Sequence, residues 1–322
     1  MLQLLGQERA KDRCTADDLT DACKQYFSTR CDQLSCFDEL RGPLEVLDAK
    51  HQQQFVDFAY ETTKGNSNTG ASSVAPVLSA LKLEYCFLIS QGKATQTTRD
   101  FSRKVVKMYQ QIHGMERESG EPGAQLAMLA CMALLRANQS EEVGTIDQDL
   151  RNISLLQAGF LQRYCLTRCR DNYPSLIVLT RISTMLGAIS LSAAFFKKLS
   201  IKNLQWENAG HIFLTRLSTL HPQRSKDSEG AFDPLQMLDL ATAANFNSVR
   251  SVRRLIMIGL DSKSYVNVLE TISLRDDLKR SLSKQIYCVE SARTKRLRDL
   301  PNSEGERPSS GKPQVTAQTH SY

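Results

Sequence analysis

Closely spaced apolar segments with helical periodicity occupy residues 155–222, and this stretch constrains the fold more than any other. Within it, apolar side chains recur at steps of three and four residues, namely Leu176, Leu179, Ile182 and Leu186. This is the spacing of one face of an α-helix. The pattern predicts an amphipathic helix across these positions.

A second apolar segment, 191–199, follows after a short break, and Gly187 can adopt the left-handed conformation that commonly ends a helix. Leu179, Ser192 and Phe196 occupy positions where a tetratricopeptide unit has an apolar, a small and an aromatic residue. We therefore expect a helical hairpin that resembles a degenerate tetratricopeptide unit. An unrelated pair of packed helices is the alternative.

Helical periodicity continues after this hairpin, and the alternation and turn signals of β-hairpins are absent from the sequence. Further helices are predicted at 206–220, 233–245, 247–259 and 265–299. Trp206, the only tryptophan, is either a core residue or an anchor for a partner. The predicted fold class is all-α, with antiparallel helical hairpins stacked in a tetratricopeptide-like superhelix and a disordered C-terminal tail.

Shifts in composition divide the chain. Residues 1–222 are predicted to form a helical-repeat region with a flexible Gly- and Ser-rich loop at 64–73. The polar residues 223–230 read as a linker, and 231–300 as basic helices. Residues 301–322 are rich in Pro, Ser, Gly and Gln. Without large apolar side chains they cannot offset the entropy of ordering, so we expect a disordered tail.

Positive charge is concentrated in the C-terminal helices. Residues 250–298 contain twelve Lys or Arg against five Asp or Glu, whereas the whole chain has a net charge of only +6. A local basic excess suggests an acidic partner such as RNA. The alternative is a solvated helical surface whose cations favour helix C-termini. The candidate RNA contacts are Arg250, Arg253, Arg254, Lys279, Arg280, Lys284, Arg293, Lys295, Arg296 and Arg298.

Patterns for catalysis, metal binding or membrane insertion are not found in the sequence. The five histidines do not pair at metal-ligand spacing, and Cys165 and Cys169 have no second pair to complete a site. The nine cysteines are scattered singly, which favours reduced thiols inside the cell. No apolar run approaches the roughly 18 residues of a membrane span. We therefore expect no metal, no cofactor, no small-molecule substrate and no membrane contact.

Several short motifs resemble one protein family. FFKKLSIKNLQW at 195–206 is similar to a passage in the auxiliary subunit of the NatB N-terminal acetyltransferase of fungi, and LTRLSTLHP at 214–222 extends the similarity. RDNY at 170–173 resembles the start of the preceding hairpin in that family. SCFDEL at 35–40 resembles its Cys-Phe-x-Asp-Leu segment. The resemblance covers residues 30–225 and is densest after 155.

The resemblance implies a non-catalytic auxiliary subunit of the NatB complex. Such a subunit scaffolds a separate catalytic acetyltransferase and supports its association with the ribosome in the cytoplasm. There, nascent chains that begin Met-Asp, Met-Glu, Met-Asn or Met-Gln are acetylated. The alternatives are a helical-repeat scaffold unrelated to acetylation and an enzyme in its own right. Family members carry helical repeats before the segment that 35–40 resembles, so we expect a truncated sequence or a C-terminal fragment.

We expect that the chain does not bind acetyl-CoA. Catalytic subunits of this class hold its phosphates with an Arg/Gln-x-x-Gly-x-Gly/Ala turn, whose N–H groups contact the pyrophosphate at a helix N-terminus. The nearest sequence here, RESGEP at 117–122, ends in proline, which has no N–H, and no predicted strand precedes it. Isothermal titration calorimetry with acetyl-CoA should show no binding. A micromolar Kd would contradict the auxiliary interpretation.

Overall fold

The structure, a computed structural model, describes residues 6, 14–33, 35–66, 74–92, 95–115, 121–139, 148–227 and 230–298. These residues form fifteen helices and one two-stranded hairpin, which confirms the all-α class. The chain divides into two compact units, residues 1–199 (unit one) and 200–322 (unit two). Most of the predicted loop at 64–73 and all of the predicted tail at 301–322 lie outside the described residues.

Nine helices are described in unit one, and most helices that follow one another in the chain pack together. This stacking of neighbouring helix pairs agrees with the predicted architecture, whereas the likeness to tetratricopeptide units in particular stays a prediction. The helices are α1 (Ala16–Arg30), α2 (Cys36–Glu45), α3 (Ala49–Asn66), α4 (Val74–Ser90), α5 (Thr95–Met115), α6 (Glu121–Gln139), α7 (Gln148–Arg168), α8 (Tyr173–Met185) and α9 (Ile189–Lys198).

Helices α1 to α4 share one core, which consists of apolar side chains that recur at helical spacing along each helix. Leu19, Cys23 and Phe27 lie on one face of α1 and are fully buried. The Phe27 ring meets Phe55 of α3 edge-on, with 5.8 Å between the ring centroids. An edge-to-face aromatic pair adds stability beyond its buried area.

A buried polar side chain joins the next helices of unit one. Gln162 of α7 is fully buried, and its Nε2 donates to the Ala127 carbonyl oxygen of α6 at 2.8 Å. Its Oε1 accepts from the Ser175 hydroxyl of α8 at 2.7 Å. Because an unpaired buried amide would be costly, these two bonds favour one arrangement of α6, α7 and α8.

The predicted hairpin is confirmed as α8 and α9. Leu176, Leu179 and Ile182 are buried on α8, and Gly187 has a φ of 75°, so it is left-handed as predicted. The two helices are also joined by a hydrogen bond, because the buried Ser192 hydroxyl of α9 donates to the Thr180 carbonyl oxygen at 2.8 Å.

Unit two contains short helices, a small hairpin and three longer helices. In chain order they are α10 (Gln205–Ala209), α11 (His211–Leu214), α12 (Leu217–Leu220), β1 (Ser225–Asp227), β2 (Gly230–Phe232), α13 (Pro234–Asp261), α14 (Tyr265–Lys279) and α15 (Leu282–Leu297). The strands pair antiparallel, with Ser225 opposite Phe232. This hairpin, three residues a strand, was not predicted, because segments of that length show no alternation to detect.

The predicted helix at 206–220 is wrong, since the structure has three short helices there. Arg216 has a φ of 63°, a left-handed conformation that ends a helix. The break is compensated by α15, where the buried carboxylate of Glu290 accepts from the Ser218 backbone N–H at 2.8 Å. The hydroxyl of Tyr287 donates to the Trp206 carbonyl oxygen at 2.9 Å. These contacts place residues 200–222 within unit two, although the sequence pattern grouped them with the preceding repeats.

Two other predicted boundaries also differ from the structure. The segments 233–245 and 247–259 form the single helix α13, because Asn247 continues the helix without a break. The predicted helix 265–299 is divided between α14 and α15. Ser281 ends the continuity, because its hydroxyl oxygen accepts from the Lys284 backbone N–H at 3.1 Å and caps α15.

The α8–α9 hairpin yields a stability prediction. Leu179→Ala should lower the free energy of unfolding by about 2–5 kcal/mol, because the side chain is only 3% exposed and its removal leaves a cavity. Chemical denaturation followed by circular dichroism measures the change. As the control, Met185→Ala on the same helix removes a side chain that is 66% exposed and should change little. Equal stabilities for wild type and Leu179→Ala would exclude this packing.

Candidate interaction surfaces

Half of the predicted RNA contacts are exposed on the helices of unit two. This half combines exposure with the lack of an ion pair to another described residue, so these side chains are accessible to a partner. These residues are Arg250, Arg253, Arg254, Arg280 and Arg296.

Three further predicted contacts interact within unit two. Lys279 Nζ lies 3.2 Å from a carboxylate oxygen of Asp276, and Arg293 Nη1 lies 3.3 Å from Oε1 of Glu290. Both cations remain half exposed or more, so these pairs contribute little stability and leave positive charge at the surface. Lys284 Nζ lies 4.4 Å from the centroid of the Phe246 ring, which is a cation–π distance.

Arg298, by contrast, is a structural residue. Its side chain is only 7% exposed, and its Nη1 lies 3.0 Å from Oδ1 of Asp233. Its Nε donates to the Pro222 carbonyl oxygen. Asp233 also caps α13 by accepting from the Leu235 N–H at 3.1 Å, and it pairs with Arg224 at 2.7 Å. The guanidinium of Arg298 is thus engaged inside unit two, and the structure does not offer it to RNA.

The pKa of Asp233 shows which effect dominates at this pair. Burial alone would raise it, but hydrogen bonding and the charge of Arg298, with smaller contributions from the Leu235 N–H and Arg224, outweigh the burial. The pKa is therefore held below its usual value of 3.8.

Lys295, the remaining predicted contact, is half-buried. Its positive charge lowers the pKa of Asp239, whereas burial of that carboxyl raises it and has the larger effect.

Contacts between helices show which cations are neighbours. Lys284 at the start of α15 lies over Phe246 in the middle of α13, whereas Arg298 after the end of α15 reaches Asp233 at the start of α13. The two helices are therefore antiparallel. Asn245 Nδ2 donates to the Leu278 carbonyl oxygen at 3.3 Å, which places the end of α14 beside the same part of α13.

The structure thus separates the predicted contacts into two groups. One group, the basic cluster, lies around the middle of α13 and consists of Arg250, Arg253, Arg254, Lys279, Arg280 and Lys284. The other group, Arg293, Lys295 and Arg296, lies toward the opposite end of α15, near the start of α13, where Arg298 is engaged with Asp233. Charge counting predicted the residue types but not this division.

The α13–α14 hairpin has an exposed apolar tip that the sequence patterns did not predict. Each of its six side chains is more than half exposed, whereas large apolar groups are usually buried. An exposed patch of this kind often marks a protein interface. One feature of the sequence could have indicated this patch, because the residues after Arg254 are apolar on more than one side of the helix. The tip consists of Leu255, Met257, Ile258, Tyr265, Val266 and Leu269.

An open groove of about 900 Å³ on unit one is a second surface that the sequence did not indicate. Helices α2, α4 and α6 line it together with the connection between α7 and α8. Aromatic, methionine and basic side chains line it, among them Phe37, Tyr85, Met132, Arg41 and Lys82. Met and aromatic side chains bind apolar surfaces adaptably, so the groove suits contact with another protein.

The described residues contain no group of three or more His, Cys, Asp or Glu side chains placed to hold a metal ion. Cys165 is buried, and this burial raises the pKa of its thiol, which disfavours the thiolate that a metal or a nucleophile requires. Among the described helices, none has the length and apolar character needed to cross a membrane. The segment nearest in sequence to an acetyl-CoA turn, 117–122, lies mostly outside the described residues.

These features define an interaction protein of the all-α class, with exposed basic and apolar surfaces on its packed helices. The sequence matches, over residues 1–319, the family described as N-acetyltransferase B complex (NatB) non catalytic subunit. The chain therefore belongs to this family of NatB non-catalytic subunits. It is not itself the enzyme, and its family implies a separate catalytic subunit as partner. A search of curated proteins finds no match.

Family membership decides between the functional alternatives that the sequence left open. It excludes a scaffold unrelated to acetylation, and it excludes an enzyme acting in its own right.

Arg298→Ala should destabilise unit two, whereas Arg296→Ala should not. Removing Arg298 leaves the largely buried carboxylate of Asp233 with only Arg224 and the Leu235 N–H as partners among the described residues. We expect a loss between the ~1 kcal/mol of a surface pair and the ~3–5 kcal/mol of a fully buried one. Urea denaturation measures both variants, and the exposed Arg296 is the matched control.

The same pair should depend on pH. The folded-state pKa of Asp233 lies below 3.8, so its stabilising contribution is present above that pH and is lost as the pH falls through the folded value. The difference between wild type and Arg298→Ala should therefore shrink below pH 3.8. Equal stabilities at neutral pH would show that the ion pair is not formed.

Proposed function

We propose that this chain holds the catalytic NatB subunit and supports its association with the ribosome in the cytoplasm. Its complex would acetylate nascent chains that begin Met-Asp, Met-Glu, Met-Asn or Met-Gln as they emerge. The observation that carries the ribosome part is the basic cluster on α13, α14 and α15 in a chain of the NatB non-catalytic family.

Apolar side chains support the role in holding another subunit. The apolar tip of unit two and the groove of unit one each present apolar groups on packed helices. A partner that covers such groups removes them from water, and rigid helices limit the entropy lost on binding. Catalytic groups are not needed for this role, because the partner supplies them.

Electrostatics supports the ribosome association. Arg250 is followed at three and four positions by Arg253 and Arg254, so all three project from neighbouring positions on α13. Exposed arginines bind phosphate oxygens with two parallel hydrogen bonds. Each neutralised RNA phosphate releases condensed counterions, so binding through the cluster must weaken steeply as salt rises.

Charge reversal tests this proposal. Arg250→Glu, Arg253→Glu and Arg254→Glu, combined in one protein, should weaken co-sedimentation with ribosomes, because three phosphate contacts become repulsive. We expect a loss of at least about tenfold in affinity at moderate salt, since each lost contact also removes about one unit from the salt slope. Binding of the catalytic subunit should be unchanged, as measured by pull-down.

The matched control reverses the same charge on unit one. Arg163, Arg181 and Lys197 are exposed there, and their combined change to Glu should leave ribosome binding close to wild type. If the α13 variant and the control co-sediment equally at every salt concentration, the basic cluster is only a solvated surface.

A further inference from the structure

A second groove on unit one, of about 1190 Å³, runs between α5 and α7. Leu134 and Ala137 of α6 form part of its floor. At one end the rings of Tyr109 and Tyr164 meet nearly at right angles, with 6.3 Å between their centroids. These tyrosines lie late in α5 and late in α7.

The α5 wall of this groove is basic. Arg99, Arg103 and Lys107 recur at four-residue steps and therefore form one stripe along the helix. Arg103 pairs with Asp100 at 2.9 Å, but both side chains are more than half exposed, so this pair competes weakly with a partner. Among the described residues that line the groove there is no carboxylate.

The α7 wall is apolar. Ile153, Leu156 and Phe160 follow one another at helical spacing and lead to Tyr164. All are exposed, and the side chain of Phe160 is 74% exposed, an unusual position for phenylalanine in a folded chain. One wall of the groove therefore carries a stripe of positive charge, and the other wall carries a stripe of apolar side chains.

We propose that the α5–α7 groove binds an acidic amphipathic helix of a partner protein. The apolar face of that helix would cover Phe160 and Leu156, and its acidic flank would face Arg103 and Lys107. This is the helix-in-groove mode of recognition, in which apolar anchors supply affinity and flanking charges fix orientation.

The length of the groove is consistent with this occupant. From Arg99 to Lys107 the basic stripe rises about 12 Å, and from Ile153 to Tyr164 the apolar stripe rises about 16 Å. Two to three turns of a helix match these lengths. The apolar wall also carries the rings of Phe160 and Tyr164, on which a base could stack, so a single-stranded nucleic acid is the other occupant that the test must exclude.

This inference is independent of the ribosome proposal, because it concerns α5, α6 and α7 of unit one and its test needs neither ribosomes nor a catalytic subunit. The probe is a fluorescein-labelled designed peptide of about 14 residues, with Leu at helical a and d positions and Glu along one flank. Fluorescence anisotropy with the full chain should show saturable binding, and that binding should weaken as salt rises.

Two variants locate the binding. Phe160→Ala should weaken it about tenfold, the effect of losing one interface anchor. Lys107→Glu should weaken it by a similar factor and reduce its salt dependence. Both side chains are exposed, so neither change should alter the helical circular dichroism signal. A second peptide with Lys in place of every Glu should bind at least tenfold more weakly than the acidic one.

Matched controls are Leu282→Ala, which removes an apolar side chain that is 70% exposed in unit two, and Arg181→Glu on α8. Both should bind the peptide as wild type does. The proposal is overturned if the acidic peptide does not bind saturably, if Phe160→Ala binds it normally, or if the Lys peptide binds equally well. It is also overturned if a single-stranded oligonucleotide displaces the peptide from wild type and from Phe160→Ala alike.

Discussion

Each longer helix must bury one apolar face against its neighbours, and the described structure depends on this constraint. On α1 the face of Leu19, Cys23 and Phe27 meets α3, and on α8 the buried Ile182 meets residues of α6 and α7. Because neighbours in the chain supply the opposing face, most packing is local. Faces without such a neighbour stay open, and these form the apolar tip and the two grooves.

Local packing explains which parts of the fold the sequence could predict. The α8–α9 hairpin follows from the spacing of its leucines and from Gly187, all of which act within a few residues. The region 206–220 could not be predicted in this way, because its breaks are compensated by Tyr287 and Glu290, which lie far along the chain. The division at Ser281 had a local signal, since serine is a preferred helix cap, but the apolar pattern on both sides concealed it.

The candidate surfaces were predictable in composition rather than in geometry. Counting charges identified the basic region, yet the count treats Arg298 and Arg296 alike, although one is buried against Asp233 and the other is exposed. Apolar periodicity likewise predicts a core face whether or not a neighbour covers it. Phe160 and Leu269 therefore look like core residues in the sequence, and only the packing shows that they are exposed.

The hydroxyl of Tyr287 has a consequence for the environment in which unit two can operate. Burial raises its pKa to about 12, so the phenol stays neutral and keeps donating to the Trp206 carbonyl oxygen at any physiological pH. This contribution to stability is complete below pH 10.0 and is lost only as the pH rises toward about 12. A neutral hydrogen bond is also little affected by ions. Changes in ionic strength can therefore alter the electrostatic attraction of the α13 arginines for a partner, while the hydrogen bond that holds the short helices against α15 remains intact.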